Sequence, residues 1–183
     1  MTTTAQDVVS AKLERTFDAF DANKDGYLDW SDYEQLADRY IKAYGLDRSD
    51  RRARAIIAFT QMSWLELLRH SGEATDRLTK EQFVMASRIA AVDTSRLNVA
   101  EGNAHAIFDV IDVDGDNEIG KAEFGRFLRE VWRSEAPDAM DTFHKLDTDG
   151  DGAVSRQEFI RAMREYYFSN DPDAPGSLFF GQV

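Results

Sequence analysis

The stretch that decides the fold is Asp147-Thr148-Asp149-Gly150-Asp151-Gly152-Ala153-Val154-Ser155-Arg156-Gln157-Glu158. Short oxygen-bearing side chains stand at its first, third and fifth positions, glycine at the sixth, an aliphatic residue at the eighth and a glutamate at the twelfth. A hard divalent cation takes about six to eight oxygens at about 2.3–2.6 Å. Alternating side chains in a tight loop converge on one point, a carbonyl from position 7 adds an oxygen, and a bidentate carboxylate at position 12 closes the shell. Glycine at position 6 permits the left-handed bend. Here the predicted ligands are Asp147, Asp149, Asp151, the Ala153 carbonyl and Glu158.

Two further segments repeat the pattern, and such self-similarity is itself informative. The segment from Asp112 offers Asp112, Asp114, Asp116, the Glu118 carbonyl and Glu123, with Ile119 at position 8. Asn117 replaces the glycine, and asparagine tolerates a left-handed backbone, so the bend is expected to survive. The segment from Asp21 offers Asp21, Asn23, Asp25, the Tyr27 carbonyl and Asp32, with Leu28 at position 8. Asp32 is one methylene shorter than glutamate and is expected to give one oxygen, which suits magnesium as an alternative occupant of this first loop.

Such loops work in pairs, so three predict a fourth. Aligning Phe83 with Phe124 and Phe159 places it at Ser71 to Gln82, with Leu78 at position 8 opposite Leu28. Its candidate ligands, Ser71, Glu73 and Thr75, carry one charge, and Gln82 closes nothing. It is expected to be structural.

These motifs resemble the EF-hand superfamily. The wide spacing between the first two loops and the silent second loop resemble the sarcoplasmic calcium-binding proteins and their bacterial calerythrin-like relatives. The resemblance implies an all-α fold of four EF-hand helix–loop–helix motifs in two packed lobes, residues 1–93 and 94–183, with short two-stranded ribbons between paired loops. It implies three calcium ions and the role of a calcium buffer or store. A calcium sensor with a dedicated protein partner is the alternative. A photoprotein-like luciferin binder is more remote, because no histidine follows His144.

Composition agrees. The 183 residues carry 34 acids against 22 bases, a net charge of −12 that repels phosphate backbones and anionic headgroups and argues against nucleic acid and membrane surfaces. The absence of cysteine excludes disulfides, thiolate metal sites and thiol catalysis. No motif of phosphate binding or nucleophilic catalysis occurs, so no enzyme is expected. No apolar run is long enough to span a membrane, the first twenty residues lack a signal-type apolar run, and a cytoplasmic monomer is expected.

Helical spacing flanks every loop. Val9, Leu13, Phe17 and Phe20 precede the first, and Tyr33, Leu36, Tyr40 and Ile41 follow it. Arg48, Arg51, Arg52 and Arg54 open the third helix as a solvated, acid-balanced face. Asp93 to Asn98 is read as a short link between lobes, and Ala136 and Pro137 as the start of a later helix. Trp30, Trp64 and Trp132 are read as core or lobe-interface residues. The tail turns at Asp171-Pro172-Asp173-Ala174-Pro175-Gly176, and Leu178, Phe179 and Phe180 are expected to fold back into a groove between the lobes.

Overall fold

The computed structural model describes residues 7–72, 75–93, 97–134 and 139–179. The expectations for Glu73, Ala136, Pro137 and Phe180, and for 94–96 of the link, lie outside these residues. Four helix–loop–helix units follow one another. The first is α1 (Val8–Phe20), β1 (Tyr27–Asp29) and α2 (Trp30–Ala43); the second is α3 (Arg51–His70), β2 (Arg77–Thr79) and α4 (Lys80–Val92). The third is α5 (Leu97–Ile111), β3 (Glu118–Ile119) and α6 (Lys121–Arg126), the last running into a π-helical turn (Phe127–Val131). The fourth is α7 (Ala139–Leu146), β4 (Val154–Ser155) and α8 (Arg156–Phe168), followed by a 3₁₀ turn (Pro175–Leu178). Because α5 begins at Leu97, both Leu97 and Asn98 are helical and do not belong to a link.

The loops pair as the eighth positions predict. β1 and β2 are antiparallel with Leu28 opposite Leu78, and β3 and β4 are antiparallel with Ile119 opposite Val154. All four of these side chains are completely buried. The silent loop therefore keeps its structural half, as expected.

Local signals set the helix boundaries. Asp29, Thr79 and Ser155 each cap the helix that follows, and the residue three further on reaches back to the cap's own N–H. That residue is the twelfth of its loop: Asp32, Gln82 or Glu158. The arginine run behaves as a balanced surface: Arg48 pairs with Asp38 at 2.7 Å and Arg52 with Asp50 at 3.2 Å.

The lobes meet through aromatic rings. Trp132 lies 5.5 Å from the Phe20 ring and 6.4 Å from Phe127, while Tyr40 lies 6.2 Å from Phe127. Trp64 is buried against Tyr33.

The tail corrects one expectation. Phe179 is fully buried, but in the core of the C-terminal lobe, against Phe159 at 5.2 Å, Phe127 at 6.0 Å and Phe124 at 6.1 Å. It does not occupy a groove between lobes, because the turn at Pro175 lays the chain along α8 and beside α7. The approach is close: a Cβ on Gly176 would stand 2.2 Å from the Ala162 carbonyl oxygen.

One lysine pins this arrangement. Lys12 of α1 is completely buried, and its Nζ donates to the Glu165 carbonyl at 2.9 Å, the Ser169 carbonyl at 2.7 Å and the Ser177 hydroxyl at 3.2 Å. Burial pulls its pKa down to about 8, against the attraction of Glu165. The carbonyls at the end of α8, which carry the negative end of the helix dipole, solvate the ammonium in place of water.

Two outcomes are expected. Gly176→Ala should cost about 1–3 kcal/mol of stability through overpacking against fixed backbone, read as a lower urea midpoint together with faster proteolysis of the tail. An unchanged midpoint would contradict the docking described. The second concerns pH. Burial raises the phenols of Tyr33, Tyr40, Tyr44, Tyr166 and Tyr167 above their ordinary value of 10.0. Their contribution to stability is complete below that value and is lost as pH rises through the folded-state values. Tyrosinate absorbance from these residues should therefore appear in step with loss of helical circular dichroism. Gradual ionisation with helix intact would count against their burial.

Candidate metal centres

The third and fourth loops bring their predicted acids together. Carboxylate oxygens of Asp112, Asp114 and Glu123 lie within 4.8 Å of one another, as do those of Asp147, Asp149 and Glu158. Each first aspartate anchors its loop: Asp112 accepts from the Gly115 N–H at 2.8 Å and the Asn117 N–H at 3.1 Å, and Asp147 from the Gly150 N–H at 2.8 Å and the Gly152 N–H at 2.9 Å. The fifth residues, Asp116 and Asp151, accept from the N–H groups of Glu118 and Ala153. This turns the chain so that position 7 enters or adjoins the ribbon.

The bend at Asn117 is left-handed, with φ of 68°, beside 81° at Gly26 and 95° at Gly152. Arg156 donates to Asn117 Oδ1 at 2.8 Å and pairs with Asp109 at 2.7 Å, which ties the third loop to the helix leaving the fourth. Sequence reading missed a second left-handed residue at position 4 of each loop: Lys24, Gly115 and Gly150. Glycine at two of these three places was the available signal.

The twelfth residues differ in reach. Glu123 spans the loop, accepting from the Val113 N–H and the Gly120 N–H, both at 2.8 Å. Glu158 does the same with Thr148 and Ser155, each through N–H and hydroxyl. Burial pushes the Glu158 carboxyl up, but these hydrogen bonds outweigh it and hold it at about 2. Asp32 accepts from the Asp29 N–H at 3.0 Å. Its Oδ1 is buried with no hydrogen-bond partner, and Asp32 is 1% exposed. Burial, joined by the charges of Asp29 and Asp21, raises its pKa, while the Asp29 and Ala22 amides oppose this. A bound cation would satisfy this unpaired buried carboxylate oxygen. The other members, Asp21, Asn23 and Asp25, hold the loop by accepting from the N–H groups of Gly26, Asp25 and Tyr27.

In the second loop Ser71 donates to the Leu68 carbonyl, and Thr75 exchanges hydrogen bonds with the backbone of Arg77. Both side chains are thus engaged with nearby backbone, in keeping with a silent loop. A separate cluster of Glu66, His70 and Asp93 has its ligating atoms equally close, but the Arg69 guanidinium stands on it, 2.5 Å from Glu66 and 2.6 Å from Asp93.

Paired helix–loop–helix units, with acids converging in the third and fourth loops, define the class. The EF-hand domain pair family matches residues 103–164 and 74–130, and the EF hand family residues 13–37. The matched segments are EF-hand units. The chain is similar to the sarcoplasmic calcium-binding protein of Perinereis vancaurica tetradentata, 28% identical over 119 residues, 64% of this chain and 66% of that protein. It is also 27% identical over 124 residues to guanylyl cyclase-activating protein 1 of Lithobates pipiens, 61% of this chain. It spans about half the length of that relative, 49%. Among solved structures, the sarcoplasmic calcium-binding protein from amphioxus superposes with a TM-score of 0.74 at 20% identity, covering 98% of this chain and 100% of that one. A calcium-binding protein of Streptomyces coelicolor gives 0.70 at 26%, covering 87% and 97%. The coelenterazine-binding protein from Renilla muelleri gives 0.73 at 21%, covering 100% of both. No helix among the described residues is long and apolar enough to cross a membrane.

The shared ribbon and the Arg156 tie couple the third and fourth loops. Glu123→Gln should weaken calcium binding at its own loop and, by several-fold, at the loop from Asp147. Calorimetry showing unchanged affinity at the partner loop would refute the coupling.

Proposed function

We propose that the chain binds three calcium ions and serves as an intracellular calcium buffer. The first ion is held by Asp21, Asn23, Asp25, the Tyr27 carbonyl and Asp32. The second is held by Asp112, Asp114, Asp116, the Glu118 carbonyl and Glu123. The third is held by Asp147, Asp149, Asp151, the Ala153 carbonyl and Glu158. Magnesium is an alternative occupant of the first loop, because Asp32 is one methylene shorter than the glutamates that close the other two. The lobes divide near residue 93. Three calcium ions would halve the net charge of −12 and relieve carboxylate repulsion, so the metal-free form is the less stable one.

The observation that carries the buffer reading is Phe179. A sensor that grips a target needs an open apolar groove, and here the C-terminal lobe is closed by its own tail, with Phe179 fully buried among Phe124, Phe127 and Phe159. A sensor role is the second reading. It is favoured by Met85, Ile89 and Val92, which recur at helical spacing on α4 and are 51%, 42% and 75% exposed.

A calorimetric calcium titration of metal-free protein in millimolar magnesium separates the two. Three sites tighter than about 0.1 µM support the buffer. Two sites near about 1–10 µM, with the first loop held by magnesium, support the sensor and overturn the buffer. Asp32→Glu should raise calcium affinity at the first loop in either case.

A further inference from the structure

A second kind of metal-ligating group lies outside the four loops. Glu66 and His70 stand four residues apart at the end of α3, so they share one face of the helix. Asp93, the residue that ends α4, meets them there. His70 Nε2 lies 3.5 Å from Glu66 Oε1 and 3.5 Å from Asp93 Oδ2. Zinc binds histidine nitrogen and carboxylate oxygen at about 2.0–2.2 Å, and a tetrahedral shell of that radius sets its donor atoms about 3.3–3.6 Å apart. The histidine nitrogen therefore stands at shell distance from both carboxylates before any ion enters. The Glu66 and His70 side chains are each 12% exposed and Asp93 is 23% exposed, so an ion held here is largely out of bulk water.

Two features separate this group from a plain cluster of acids. A cation is already drawn to it: the Arg69 guanidinium reaches Glu66 at 2.5 Å, Asp93 at 2.6 Å and His70 Nε2 at 3.0 Å. The second feature is the state of the imidazole. A guanidinium has donors only, so His70 Nε2 accepts this hydrogen bond and its lone pair points into the group. That is the neutral form a metal requires. Calcium and magnesium take oxygen ligands, whereas imidazole beside carboxylates suits zinc. Arg69 is 47% exposed, so the guanidinium has water to turn into when a divalent ion displaces it. The group also joins the helix entering the second loop to the helix leaving it, and that loop ends in Gln82 instead of a closing carboxylate.

We propose that Glu66, His70 and Asp93 form a zinc site that ties α3 to α4 across the second loop, the ion taking the place held by the Arg69 guanidinium. The test uses full-length protein saturated with calcium, which keeps zinc out of the acidic loops, and reads zinc binding by isothermal calorimetry. One zinc ion should bind saturably, without release of calcium, and should raise the thermal unfolding midpoint. His70→Gln should weaken binding at least about tenfold, the low end of what even an outer-shell partner contributes. Arg69→Gln should tighten binding several-fold, because zinc then displaces no ion pair, and a gain of affinity cannot come from a misfolded variant. Replacing His105 and His144, both exposed, with glutamine should leave the affinity unchanged. No saturable zinc binding, or binding that only displaces calcium, would overturn the proposal. So would binding that survives His70→Gln, that Arg69→Gln leaves unchanged or weakens, or that falls when the other two histidines are replaced.

Discussion

Leu28 against Leu78 and Ile119 against Val154 are the contacts on which the molecule depends. Each pair joins two loops at their eighth positions, and each side chain is fully buried. At about 1.5–3 kcal/mol for each buried aliphatic side chain, the pairs reward only one register. A slip by one residue would turn these side chains outward and misplace every oxygen around them. This explains why a loop that has lost its charge persists. Leu78 is needed by Leu28 whether or not the second loop holds an ion.

The twelfth residue joins loop to helix. Asp32, Gln82, Glu123 and Glu158 each accept from the N–H that opens the outgoing helix. The same side chain is therefore a helix cap and a candidate ligand, and charge decides between one role and two. Gln82 keeps the first role alone. Asp32 has the charge but not the length, and one of its oxygens is left unpaired in the interior. The three candidate centres thus share a scaffold and differ in a few atoms, and their differences in affinity should follow those atoms.

Beyond the loops, aromatic residues decide how the halves sit. Phe20, Trp132, Phe127 and Phe179 form a continuous series of ring contacts from the first loop to the tail. Lys12 adds a charged pin from α1 to the end of α8 and to Ser177.

The loops, the acids that converge in the third and fourth of them and the pairing of eighth residues were legible in the sequence because each rests on spacings of a dozen residues or fewer. Chain geometry over that distance leaves little freedom. Asn117 was legible for the same reason: its left-handed φ is a property of one residue in one turn. Lys12 left a signal that sequence reading passed over, since it falls on the apolar face of α1 between Val9, Leu13 and Thr16. The destination of the tail left none, because apolar residues at a terminus say that they will be buried and not where. Only the tertiary structure placed Phe179 in the C-terminal lobe and turned the end of α6 into a π-helical turn. Those features depend on how helices far apart in the chain pack around shared volume, and hydrophobic burial is not directional enough to specify that from a pattern alone.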